Sequence, residues 1–140
     1  MLDVDLSTEF GLRVERRLRN DRIGWLTTVG ADATPQPSPI WFLWDGLTLL
    51  IYSRAGTPKL GNIAQRPRVS LNLDGDGRGG DVVVLTGTCR PDPDAPPVDA
   101  HPAYLAKYRE GILRLGLTAE EFAAAYPVAI RMTPTQLRGH

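Results

Sequence analysis

Apolar residues at Phe10, Val14 and Leu18 recur every four positions, with Arg13, Glu15, Arg16 and Arg17 filling the turns between them. That spacing predicts an amphipathic helix from Ser7 to about Asn20, with one buried stripe. The period then shortens. "RIGWLTTVG" alternates Ile23, Trp25, Thr27 and Val29 with Gly24, Leu26 and Thr28, and its β-branched and aromatic residues predict a strand buried on at least one face. After "GADATP", the runs "QPSPIWFLW" and "LTLLIYS" flank Asp45-Gly46, a strong two-residue hairpin signal, so the two runs are expected to pair antiparallel. Pro37 and Pro39 cannot donate to a ladder, which assigns the first run to an edge or a bulged strand start.

Thr57 followed by Pro58 reads as an N-cap and first helical position, opening a short helix that Arg66-Pro67 stops near Gln65. "RVSLNL" and "DVVVLTGTC" are two further strands around the glycine-rich hairpin loop "DGDGRGG". Five prolines in "PDPDAPPVDAHP" predict an extended, non-helical crossing, followed by a helix over residues 103–109. Thr118 and Glu121 form a capping box for a last short helix through Ala125, and "PVAIRM" closes as a strand. Six short antiparallel strands with helices at the margins describe an α+β or mainly-β, barrel-like architecture rather than a βαβ fold.

Composition narrows the partners. The 140 residues, 42% hydrophobic, suit a single domain over 1–140, with one core that buries roughly 70% of the unfolded surface. Sixteen Lys and Arg balance sixteen Asp and Glu, which argues against nucleic acid or an anionic membrane as a bulk partner, so any anion site is local. One cysteine, Cys89, excludes an intramolecular disulfide and a multi-cysteine metal cluster, and is expected in the core. An acidic "MLDVDL" start and the lack of any membrane-length apolar run predict a soluble, cytoplasmic chain.

Several motifs reduce to structure. Gly75, Gly77 and Gly80 match G-x-G-x-x-G, but a strand follows them and no helix N-terminus is available for a pyrophosphate. Asp74, Asp76 and Asp81 lack the terminal glutamate of a calcium loop, where this chain has Leu85. The only histidines, His101 and His140, leave little for a metal centre or a triad, and His101 is read as a surface or capping residue. Trp25, Trp41 and Trp44 are read as core or interface anchors, with Trp41 the best candidate for ligand stacking.

"YSRAGTPK" is different. A helix N-terminus carries about +0.5 of a unit charge, so Arg54 and Lys59 beside one are disfavoured unless an anion offsets them. Thr57, the first free amides of the helix and these two cations together describe a phosphate or carboxylate site.

The order "QPSPIWF", "DG", "YS", "TPK", "GNIAQRPRVSLNL" resembles the pyridoxamine 5'-phosphate oxidase-like split β-barrels, over most of the chain, and within them the deazaflavin branch that binds coenzyme F420. The resemblance implies a six-stranded antiparallel split β-barrel with short flanking helices, and a homodimer with cofactor sites at the subunit interface. It implies a site lined by Gln36, Pro37, Ser38, Pro39, Ile40 and Trp41, with Tyr52, Ser53, Arg54, Thr57, Pro58 and Lys59 at the corner. Flavin-binding relatives carry basic residues where this chain has Gln36 and Trp41, and many carry arginine where it has Pro58, a departure that favours F420 over FMN. The proline-interrupted strand is expected to leave backbone groups of Gln36, Ser38 and Ile40 free for the ring edge. The expected activity is hydride transfer between F420 and a small electrophilic substrate. The alternatives are an FMN-dependent oxidase or reductase of the same fold, and a non-catalytic carrier or sensor of flavin, deazaflavin or haem. Tyr104, Tyr108 and solvent all remain open as proton donors, and no metal is called for.

Overall fold

Helix α1 (Glu9–Asn20) leads into β1 (Gly24–Val29), β2 (Pro35–Ile40), β3 (Leu43–Trp44), β4 (Leu49–Ser53), α2 (Pro58–Gln65), β5 (Arg68–Leu73) and β6 (Val83–Pro91). A 3-10 turn at Val98–Ala100, α3 (Pro102–Arg114), α4 (Ala119–Ala125) and β7 (Val128–Gly139) follow. The computed structural model describes residues 4–140, so the first residues of the acidic amino-terminal stretch lie outside the described part. All seven strands form one antiparallel sheet, ordered β2-β1-β5-β6-β7-β4-β3 and curled into a half-barrel. The α+β split-barrel expectation holds, with seven strands instead of six. No helix among the described residues is long and apolar enough to cross a membrane.

Local signals set the helices. α1 starts at Glu9, two residues after the expected Ser7, Thr8 caps it by accepting from the Gly11 amide at 2.9 Å, and Val14 and Leu18 are fully buried beneath the helix. Each such side chain contributes about 1.5–3 kcal/mol. The Thr118–Glu121 capping box is present in both directions. His101 caps α3, its ring nitrogen accepting from the Tyr104 amide at 3.4 Å. α3 starts at Pro102 and continues to Arg114, beyond the expected stop at 109, and a 3-10 turn interrupts the proline-rich segment expected to be wholly extended. In "DGDGRGG" the Asp76 carboxylate accepts from the amides of Arg78 and Gly80, so this acid organises its own loop.

The expected pairing of "QPSPIWFLW" with "LTLLIYS" is overturned. The run breaks after Ile40: β2 pairs with β1, and only Leu43 and Trp44 pair with β4. Pro35, Pro37 and Pro39 stand opposite Val29, Thr27 and Trp25. Prolines have no N–H, so the two-way hydrogen bonds of this ladder run through the alternate pairs, which contain Gln36, Ser38 and Ile40. Those backbone groups are therefore engaged by β1 and are not free for a ligand. β2 is nevertheless an edge strand, as its prolines required. The run Ile40 to Trp44 packs inward. Ile40, Phe42 and Trp44 are buried, and Trp41 and Leu43 pack on a second cluster built from Leu50, Tyr52, Val98, Tyr104, Tyr108, Ile112 and Phe122.

β7 is twice the expected length and pairs with β4 and β6. A register shift at Thr86/Gly87 lets β6 follow it. Gly87 is required there, because a Cβ would lie 2.0 Å from the Thr133 carbonyl oxygen.

Candidate functional site

Two features fix the corner after β4. All five residues of β4 are buried, and the Tyr52 hydroxyl donates to the Pro96 carbonyl at 2.5 Å, tying the strand end to the proline-rich segment. Gly56, at φ 74°, then turns the chain into α2. Thr57 occupies the N-cap position but its side chain caps nothing. Its hydroxyl lies 3.1 Å from that of Ser53, which donates to the Arg54 carbonyl at 2.9 Å. Pro58 brings no N–H and Leu60 donates to the Thr57 carbonyl, so the Lys59 amide is the first-turn donor left without a backbone acceptor among the described residues.

These residues line a cavity of about 360 Å³. Pro39, Ile40, Trp41, Tyr52, Ser53, Arg54, Thr57 and Lys59 reach its wall, whereas Gln36, Pro37, Ser38 and Pro58 do not. Gln36 faces the sheet-side of α2, accepting from the Asn62 amide group at 2.9 Å, and that amide also donates to Thr28 at 3.0 Å. Lys59 and Arg54 are the cations of the wall, and no acidic residue joins them. Burial lowers the Lys59 pKa from its ordinary value. The Arg54 guanidinium rests 4.7 Å from the centre of the Tyr126 ring, a cation–π contact that holds it at the wall.

Ile23, Leu115, Phe122 and Tyr126, not nominated from sequence, complete the cavity together with Tyr104, which the sequence offered only as one of the open proton donors. A signal for Tyr104 existed: Tyr104, Tyr108 and Ile112 are spaced by four on α3 and all are buried. Trp41 stacks on Tyr108, centroids 4.7 Å apart, and on Phe122 at 5.4 Å, so protein already occupies much of its aromatic surface. A Cβ at Gly111 would come within 2.9 Å of the Trp41 ring, which explains a glycine inside α3.

The two α3 tyrosines differ sharply. The Tyr108 hydroxyl accepts from the Phe42 amide at 2.8 Å and faces the carbonyls of Arg22 at 2.8 Å and Phe42 at 2.9 Å. It fastens the break after β2 to α3. Tyr104 is only 1% exposed and lines the cavity, and its hydroxyl has no hydrogen-bond partner among the described residues. Burial raises the pKa of both phenols, first of all by desolvation, so each remains a neutral donor.

A family model described as pyridoxamine 5'-phosphate oxidase matches residues 13–140, which includes every strand and every residue of the cavity wall. The chain belongs to the pyridoxamine 5'-phosphate oxidase family. A Listeria innocua protein assigned provisionally to that activity is 25% identical, with 90% of this chain and 94% of that one covered at a TM-score of 0.66. An F420 reductase is also 25% identical, covering 89% and 94% at a TM-score of 0.64. HutZ, a haem storage protein from Vibrio cholerae, shares the fold at 12% identity, covering 94% and 95% at a TM-score of 0.64. No curated protein sequence matches the chain. Proteins that share this fold thus differ in their chemistry, and the activity must be argued from the cavity.

Proposed function

We propose that this family member is an F420-dependent oxidoreductase, in which a small electrophilic acceptor gains a hydride from reduced cofactor together with a proton. The observation that carries the reading is the placement of Lys59 and Arg54 in an otherwise largely aromatic and aliphatic cavity. At about 360 Å³ it is near the small end for ligand sites, suited to one planar ring whose anionic tail leaves past Lys59 and Arg54. The likeness to an F420 reductase at 25% identity supports it. So does Gln36, which turns to Asn62 where flavin-binding relatives present a cation. Among the described residues the wall holds no His, Cys or Met, the commonest haem ligands.

When bound, the deazaflavin supplies the hydride chemistry. The chain's residues bind, orient and exclude water. Pro39, Ile40, Trp41 and Tyr52 form walls for the ring. Lys59, its amide and Arg54 hold negative charge, and the Ser53 and Thr57 hydroxyls add polar contacts. Gln36, Pro37, Ser38 and Pro58 keep the frame in shape. The Tyr104 hydroxyl is the group positioned to hydrogen-bond a ligand oxygen, whereas that of Tyr108 is committed to backbone.

The homodimer implied by the resemblance is part of this proposal, and the largely buried run Ile40 to Trp44 does not supply its interface. Leu115, which lines the cavity, and Leu113 are 53% and 67% exposed, and a second copy that closes the pocket would cover them. Sedimentation velocity tests this, and a monomer at micromolar concentration sinks it. The cofactor reading is tested by absorbance and fluorescence titration of the purified chain with F420, FMN and haem in turn. F420 is expected to bind most tightly, and tighter binding of FMN or haem refutes the reading.

A further inference from the structure

A second recess of about 310 Å³ adjoins the first cavity, the two sharing Ile23, Trp41 and Leu115. Arg22, from the segment before β1, enters it beside Lys107 and Arg114 of α3. Positions 107, 111 and 114 share one helix face, and Gly111 between the two cations lets the Trp41 ring pack against the helix and form the wall of the recess. Three cations converge on the recess, and no acidic residue lines it.

Lys107 is the informative member. Its ammonium donates to the Phe42 carbonyl at 2.9 Å and sits 4.0 Å from the centre of the Phe42 ring. Burial pushes its pKa down to about 8, Asp21 opposing that shift and Arg22 adding to it. Asp21 is already engaged by Arg17 of α1 in an ion pair at 2.5 Å. Glu110 approaches Arg22 only to 3.7 Å, with side chains 70% and 56% exposed, and a pair of that kind contributes little. Arg22 and Arg114 alone would pass as solvated cations on a helix and a loop. Lys107 differs: the Phe42 carbonyl and ring are its neutral partners, its pKa stays low beside them, and an anion in the recess would offset the remaining desolvation cost.

We infer that this recess is a second anion site, which takes the carboxylate or phosphate of the small molecule that exchanges hydride with the cofactor. The assignment of its occupant as substrate rests on the oxidoreductase reading, while the anion site stands on the recess alone. The tail of the cofactor has its own cations in Lys59 and Arg54. The shared wall at Trp41 and Leu115 sets an occupant of the recess directly beside whatever fills the first cavity.

The test uses the full chain without cofactor and two probes, benzoate and inorganic phosphate, followed by nuclear magnetic resonance at the Trp41 indole and the Gly111 amide. Benzoate is expected to shift both signals. Lys107→Met combined with Arg114→Gln is expected to weaken it about tenfold or more, and Lys107→Arg to retain most of the affinity. Thermal melting of each variant separates lost binding from lost folding. Absence of benzoate binding, shifts centred elsewhere, wild-type affinity in the double variant, or equal loss in Lys107→Met and Lys107→Arg would each overturn the site. Phosphate that moves only signals around Lys59 assigns the recess to carboxylates. If F420 competes with benzoate and a tail-less deazaflavin does not, the recess belongs to the cofactor tail and the substrate assignment falls. Failure of F420 to bind the wild type sinks the oxidoreductase reading instead, and leaves the benzoate result to judge the anion site.

Discussion

Removing one oxygen atom from α3 has opposite consequences at two adjacent turns. In Tyr108→Phe the buried Phe42 amide loses its acceptor, and an unsatisfied buried donor costs about 1–3 kcal/mol. The phenol carries one proton for two nearby carbonyls, so one donated bond is lost as well, worth about 0.5–1.5 kcal/mol net. The sum is about 1.5–4.5 kcal/mol. In a chain of this size each kcal/mol moves the thermal midpoint by about 2–4 °C, so a fall on the order of 10 °C is expected. Tyr104→Phe removes a hydroxyl that bonds to no described residue, and stability is expected to stay within about 0.5 kcal/mol of wild type. Its cost appears in ligand binding instead, where one lost hydrogen bond of about 0.5–1.5 kcal/mol weakens F420 roughly two- to tenfold. Urea and thermal melts of both variants, beside F420 titrations, read the two effects separately. A Tyr108→Phe variant as stable as wild type, or a Tyr104→Phe variant that is the destabilised one, would refute the division of roles.

Lys59→Met is expected to weaken F420 about ten- to a hundredfold by removing a charge-assisted hydrogen bond, with a flatter salt dependence than wild type, and equal affinities in a titration would make the lysine structural. For Lys107 the folded pKa, about 8, lies below the ordinary 10.5. Between those values the unfolded chain binds a proton that the folded chain does not, so this group's contribution to stability rises with pH; below about 8 its full burial cost is present. The urea midpoint of Lys107→Met is therefore expected to improve relative to wild type most below pH 8, the gain shrinking toward 10.5, and a gain that grows instead contradicts the burial argument. Gly87→Ala is expected to unfold the chain or cost several kcal/mol, because its Cβ meets backbone at 2.0 Å, and an unchanged melting temperature would show that the shifted register of β6 can relax.

Short-range chemistry was legible in the sequence. The apolar stripe of α1, the Thr118 capping box, the Thr57-Pro58 helix start and the glycine-rich hairpin each depend on residues within a turn or two of one another. Hairpin assignment failed where two turns competed. Asp45-Gly46 does make its turn, with the Asp45 carboxylate accepting from the Leu47 and Thr48 amides, but only two residues pair across it. The preceding turn, closed by a bond from Gly30 to Thr34, claims β2 for β1. The break after Ile40 had no local mark because its cause, the Tyr108 hydroxyl, arrives from 66 residues away. Gly111 lies beyond the expected helix end at 109, and only the Trp41 ring against it explains a glycine inside α3. The cavity divides the same way: Tyr52 to Lys59 form one contiguous corner, whereas Tyr104, Leu115, Phe122 and Tyr126 reach it only through tertiary packing.

The alternating prolines of β2 also decide how copies of this protein can meet. Pro35, Pro37 and Pro39 turn their nitrogens to the outer rim, so that rim offers carbonyl acceptors and no donors. An incoming strand needs both, and its own carbonyls would abut pyrrolidine rings. At the opposite rim β3 is two residues long, too short to template an addition. Runaway edge-to-edge polymerisation is thus blocked at both ends, and self-association must proceed through side chains on the faces and helices.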